Sequence, residues 1–164
     1  MARLVSSGHS GNLGSFDVAR MAQLISSGLW AAPLLAFESP EVRRAARLGA
    51  KEPENTRCAN CQEPNPEYVC MDFRTFVCAQ CSEAHLEFGH STMAIADPEW
   101  EDAAIERVAE RGGNQRAAAR WLAFWDAGDF ARPQRDDHER RREFIRKAYV
   151  VKCWHRQPKA RRPR

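Results

Sequence analysis

Cys58-Ala59-Asn60-Cys61 and Cys78-Ala79-Gln80-Cys81 are separated by sixteen residues, and these paired C-x2-C steps are the most specific pattern in the chain. Each step turns tightly enough to put two thiolates on one side of a knuckle. Two such knuckles close a tetrahedral all-sulfur site, a donor set suited to Zn2+ at about 2.3 Å per Zn–S bond. The spacer falls in the range of about 15–20 residues that paired knuckles favour. Cys58, Cys61, Cys78 and Cys81 are therefore the expected ligands of a structural zinc. Such an ion contributes on the order of 10–16 kcal/mol to the folding of a small module.

Around this array, the chain of 164 residues has room for one domain with extensions. A hydrophobic content of 43% and five tryptophans suffice for a modest core. No apolar run approaches the roughly 18–20 residues of a membrane span, and the longest, residues 29–37, is interrupted by Pro33. Six cysteines in a metal-type spacing point to a reducing compartment rather than a disulfide framework. Cys70 and Cys153 stand outside the array, and Cys70 reads as a small core residue.

The net charge of +3 conceals a segregation. Residues 107–164 carry 17 Lys/Arg against 7 Asp/Glu. Residues 79–106 contain no Lys or Arg, but hold Glu83, Glu87, Asp97, Glu99, Glu101, Asp102 and Glu106. An acidic surface follows the knuckles, and a basic half follows that.

Residues 1–38 read as an extension rich in Ser, Gly and Ala, with an amphipathic helix expected over 16–25. Their apolar part starts too late for a cleaved signal peptide. A helix opens at Ser39-Pro40-Glu41, with Ser as N-cap and Pro in the first turn, and stops near Gly49. Tyr68-Val69-Cys70-Met71 and Thr75-Phe76-Val77-Cys78 predict a hairpin. Residues 82–88 predict a short helix and 92–95 a third strand. Three helices are expected after that. Asp97-Pro98-Glu99 opens one with Ala104, Ile105 and Val108 inside, and Gly112-Gly113 stops it. Asn114 begins the next, with Ala117, Trp121, Phe124 and Trp125 on one face. Asp136-Asp137 opens the last, burying Phe144, Ile145, Ala148 and Val151 and leaving the arginines outside.

Cys58-Ala59-Asn60-Cys61, Pro66-Glu67-Tyr68-Val69 and Phe76-Val77-Cys78-Ala79-Gln80-Cys81-Ser82 together resemble the Arf-GAP domain, the zinc-finger module that activates Arf-type small GTPases. Gly113-Asn114 followed by Trp121 matches that family's G-N-x6-W helix, and residues 143–152 are similar to its terminal helix. The likeness spans about residues 40–154. It implies an α+β fold, a small zinc-centred three-stranded sheet surrounded by helices. The implied organisation is an extension over 1–38, the zinc domain over 39–154, and a basic tail over 155–164. The implied partner is an Arf-type GTPase in its GTP-bound form.

The chain departs from the family pattern at several places, among them Tyr68, Arg74 and Ala118, and one departure is telling. There, an arginine follows a histidine after the last cysteine, in C-S-G-x-H-R-x-L-G, and is inserted in trans to stabilise charge on the transferring phosphate. Such an arginine is worth about 10³–10⁵ in rate. Here the stretch reads Cys81-Ser82-Glu83-Ala84-His85-Leu86-Glu87-Phe88-Gly89-His90, with Leu86 at the finger position. Leucine offers neither charge nor donor, and no residue of this chain is assigned a catalytic role from its sequence. Arg74, close to the second knuckle, is the substitute to consider, against a plain turn arginine. His85 and His90 face a complete set of four cysteines and read as packed or surface histidines rather than ligands.

The sequence therefore predicts an Arf-GAP-domain regulator in the cytoplasm, involved in vesicle trafficking and weak in activity, and a regulator rather than an enzyme with turnover chemistry of its own. The alternative is a non-catalytic zinc-dependent binding module. The basic tail is expected to meet anionic membrane. Nucleic acid is disfavoured, since the residues after Cys81 are acidic and would repel phosphate.

Overall fold

The computed structural model describes residues 39–157; the helix expected over 16–25, and residues 158–164, lie outside them. Helix α1 (Pro40–Arg47) begins as its sequence demands, with the Ser39 hydroxyl accepting the Val42 N–H at 3.4 Å and Pro40 in the first turn. Leu48 caps its end and is buried, and Gly49 turns the chain at φ +75°, a left-handed conformation that glycine adopts without strain.

The expected hairpin forms from β1 (Tyr68–Cys70) and β2 (Thr75–Val77), with Tyr68 opposite Val77 and Cys70 opposite Thr75. Strand β3 (Thr92–Ala94) pairs antiparallel with the other side of β1, giving the order β2-β1-β3. Three strands of three residues each are too short to hold together alone, so the sheet depends on what covers its faces. Val69 and Phe76, paired across the hairpin, bury one face against Leu48, Trp100, Ile105 and Val108. Val77 belongs to a second cluster with Ala84, Phe144, Ile145, Ala148 and Tyr149, which also holds the buried cysteines of the array. Cys70 is fully buried, as expected of a small core residue.

Four helices follow α1: α2 (Ala79–Glu87), α3 (Asp102–Arg111), α4 (Asn114–Trp121) and α5 (His138–Ile145), the last running on into a π-helical turn over Arg146–Val151. Among the described residues no helix is long and apolar enough to cross a membrane.

The interior contradicts five local expectations. The Asp97-Pro98-Glu99 segment is a turn and not a helix start: the Asp97 carboxylate accepts the Glu99 N–H at 2.8 Å, and α3 begins only at Asp102. The intervening residues bury Trp100, whose indole N–H donates to the Ala94 carbonyl at 2.7 Å. Helix α2 starts at Ala79 rather than Ser82, because Cys78 acts as its N-cap and Cys81 lies in its first turn. Helix α4 ends at Trp121, so Phe124 and Trp125 do not share its face, and Phe124 is 67% exposed. The last helix buries Tyr149 and leaves Val151 exposed, because the π-helical turn inserts extra residues and rotates the later side chains off the seven-residue spacing. Arg141 is buried on the supposedly solvated face, its guanidinium donating to the carbonyls of Gln134 and Arg135.

Asn114 is the pivot between the sheet and the helices. Its own N–H donates to Asn55 Oδ1 at 2.8 Å. Its side-chain oxygen accepts the Phe76 N–H at 2.8 Å, and its amide donates to the Arg57 carbonyl at 2.7 Å. Gly113 makes the approach at φ +100°, with its N–H on the Arg74 carbonyl. Asn114→Ala leaves the buried Phe76 N–H and the part-buried Arg57 carbonyl without these partners. We expect a loss of about 3 kcal/mol, at roughly 1–3 kcal/mol per orphaned group, read from the urea midpoint. The exposed neighbour change Gln115→Ala should move stability by less than about 0.5 kcal/mol.

Candidate functional site: a four-cysteine centre

The first knuckle is a loop closed on itself. Cys58 N–H donates to the Glu63 carbonyl at 2.7 Å and Gln62 N–H to the Cys58 carbonyl at 3.0 Å, while Gln62 takes φ +65° to complete the turn. The Ala59 N–H, bonded to the Phe76 carbonyl at 2.9 Å, fastens the loop to β2. The second knuckle is the junction of β2 and α2, where Ser82 N–H reaches back to the Cys78 carbonyl at 2.9 Å. Sheet and helix thereby face Cys78 and Cys81 toward Cys58 and Cys61.

The four sulfurs lie within 4.8 Å of one another, and Cys61 and Cys78 Sγ are 3.6 Å apart. A tetrahedron with bonds of about 2.3 Å has edges of about 3.8 Å, so the spacing fits one divalent ion. Titration in the cluster is strongly mutual. Burial pushes the Cys58 thiol up, and its sulfur neighbours push Cys81 up, while contacts with Cys58 and the others hold Cys78 well down and Cys61 at about 7. Four acidic groups so confined are best satisfied by sharing a cation.

Behind the first knuckle stand groups the sequence reading passed over. Arg132, from the loop before α5, donates to the carbonyls of Ala59 and Asn60. Its guanidinium lies 4.6 Å from the centre of the Trp125 ring and 5.5 Å from that of Phe144. Asn60, between the two cysteines, is fully buried and begins a polar chain. Its Oδ1 accepts the Tyr149 hydroxyl at 3.1 Å, and its amide contacts His85 Nε2 at 3.1 Å. His85 Nδ1 then meets His90 Nδ1 at 3.0 Å. Since the Asn60 amide donates, His85 must accept on Nε2 and donate from Nδ1. Phe73 packs against this set, with ring centres 4.3 Å from Tyr149 and 4.8 Å from His90. A lone Asn within C-x2-C was the only sequence signal for it; Arg132 had none.

Both histidines lie outside the cluster of four sulfurs, as packed side chains, and His85 is fully buried. Leu86 sits near the end of α2 and is 54% exposed. Glu87, next to it, pairs with His138 at 3.6 Å and with Arg142 on α5. Arg74 lies at the hairpin turn with φ +55°, packed against the Gly112-Gly113 junction.

The family model described as "ArfGap: Putative GTPase activating protein for Arf" matches residues 43–158. "Probable ADP-ribosylation factor GTPase-activating protein AGD14" of Arabidopsis thaliana is 42% identical over 102 residues, which is 62% of this chain and 16% of that protein. "Arf-GAP domain and FG repeat-containing protein 1" of Homo sapiens is 30% identical over 105 residues, 63% of this chain and 18% of that protein. The match thus spans less than a fifth of either relative. The fold is similar to "Solution structure of the ArfGap domain of human RIP", with a TM-score of 0.64 and 26% identity over 77% of this chain and 95% of that one. It is equally similar to "ArfGap domain of HIV-1 Rev binding protein", at 0.64 and 27% identity over 72% and 91%.

These names correct one expectation. The chain was set apart from enzymes because it shows no active site of its own. A family named for activating a GTPase takes part in catalysing GTP hydrolysis at its partner's site, so a private active site is the wrong criterion.

The buried histidine sets an acid limit on the fold. Burial first, and His90 second, lower His85 to about 3 from its ordinary 6.5. The folded state therefore binds fewer protons than the unfolded one between those values. This contribution is fully present above pH 6.5 and falls away as the pH drops toward 3, by about 1.4 kcal/mol per unit. His85→Gln removes this one-proton linkage. Between pH 7 and 5 its stability should fall by about 2 kcal/mol less than that of the wild type, measured by urea midpoints.

Proposed function

The chain belongs to the Arf-GAP family, and we propose that its zinc-bound domain engages an Arf-type GTPase in the GTP-loaded form and accelerates GTP hydrolysis there. The observation that carries this reading is the family match over residues 43–158 together with an intact cluster of four cysteines. Cys58, Cys61, Cys78 and Cys81 would hold the ion, whose chemistry here is that of a structural cross-link between the first knuckle and the start of α2. The protein side of the site then supports it: Arg132 ties down the Ala59 and Asn60 carbonyls, and the Asn60–Tyr149 bond fixes the knuckle to the last helix.

Leu86 occupies an exposed place on α2 where it can press against a partner but cannot neutralise phosphate charge. The rate gain therefore comes from positioning the partner's own groups and is smaller than that of an arginine-bearing member. We place the protein in the cytoplasm, with the basic tail over 155–164 (Arg156, Lys159, Arg161, Arg162 and Arg164 among its residues) meeting anionic membrane.

Single-turnover GTP hydrolysis by an Arf-type GTPase, with and without the protein, tests the reading. The wild type should stimulate measurably, and Leu86→Arg should raise the effect by at least about tenfold. Binding without stimulation by either form would replace the activator by a docking module, and no binding would overturn both. For the metal, elemental analysis should give one zinc per chain. Exhaustive chelation should abolish the native circular-dichroism spectrum, as a loss on the order of 10 kcal/mol requires.

A further inference from the structure

Two segments that pack on each other carry six cations and no carboxylate. Residues 114–125 and 144–157 contain Arg116, Arg120, Arg146, Lys147, Lys152 and Arg156, without one Asp or Glu. They are joined where Arg156 N–H donates to the Arg120 carbonyl at 2.8 Å and Phe124 N–H to the Trp154 carbonyl at 3.1 Å. Glu143, from the preceding turn, pairs with Arg146 and Lys147. Among the described residues Arg120, Lys152 and Arg156 have no acidic partner.

The same region presents apolar side chains to solvent. Phe124, Val150 and Val151 are three of the four exposed large hydrophobic residues among those described, with Val151 52% exposed. Trp121 lies beside the cations, its ring 4.7 Å from the Arg120 guanidinium and 5.7 Å from Lys152 Nζ. The π-helical turn creates this surface, because it rotates Val150 and Val151 outward and ends at Lys152 in a left-handed conformation.

We propose that this face of the folded domain seats on an anionic bilayer. Phe124 and Val151 enter the boundary between headgroups and acyl chains, while Arg120, Lys152 and Arg156 meet lipid phosphates and carboxylates. A lipid surface accounts for both halves of the patch. Cations alone would suit nucleic acid, but the protruding valines would then gain nothing, whereas an interfacial anchor needs apolar tips within a cationic ring. Four more cations follow in the sequence at 159, 161, 162 and 164.

Vesicle co-sedimentation of the full chain, with no GTPase present, tests it. Phosphatidylcholine vesicles are compared with vesicles containing about 30% phosphatidylserine in about 0.15 M salt. The wild type should bind the anionic vesicles and leave the neutral ones. A Phe124→Ser/Val151→Ser double variant, and separately Lys152→Gln, should bind roughly tenfold more weakly while keeping the wild-type circular-dichroism spectrum. A chain ending at Gln157 should retain binding that the double variant then abolishes. The proposal is overturned if the wild type binds neither vesicle, or if the double variant binds like the wild type. It is equally overturned if loss of residues 158–164 alone removes all binding. A double variant that fails to bind a soluble Arf-type GTPase without lipid would assign the face to a protein partner and also overturn it.

Discussion

Four sulfur atoms from two separate turns must share a volume only a few ångströms across, and most of the architecture can be read as what that confinement requires. The turns cannot meet unless β2 delivers Cys78 at its end and α2 places Cys81 within its first turn. The first knuckle must also be pinned to the sheet, which the Ala59–Phe76 bond does. A sheet of three-residue strands has little cohesion of its own, so covalent geometry and sulfur proximity replace the long ladders that stabilise larger sheets.

The second organising device is polar. Asn55, Asn114 and the backbone of Phe76 form a buried hydrogen-bonded link between the start of the domain, the sheet and α4. Asn60, Tyr149 and His85 form another between the first knuckle, the final turn and α2. Each link joins a loop to an element distant in sequence, and each leaves a costly orphan if one member is lost. The two apolar clusters lie on opposite faces of the same hairpin, and the polar links hold the coverings in register across it.

Local chemistry made much of this legible in the sequence. Ser39-Pro40 starts α1 because cap and ring act within four residues, and the β1–β2 hairpin follows from short β-rich runs around a turn. The cysteines announced their cluster by spacing alone. What failed was periodicity read across a hidden break. Trp121, Phe124 and Trp125 share helical spacing, yet the helix ends at Trp121. Residues 144–151 look like one regular helix, and the π-helical turn displaces the outward face. Arg132 and Arg141 were invisible as interior groups because their partners are backbone carbonyls that no side-chain pattern encodes. At Leu86 the sequence showed a departure from the family pattern, and the structure adds only its exposed place near the end of α2.

The roof over the first knuckle arrives late. Arg132 reaches the Ala59 carbonyl across 73 positions, and Tyr149 reaches Asn60 across 89. During synthesis at about 5–20 residues per second, the cysteines emerge seconds before the groups that enclose them. The four thiols are thus made before the residues that cover them, and the cover can close only over a cluster already in place.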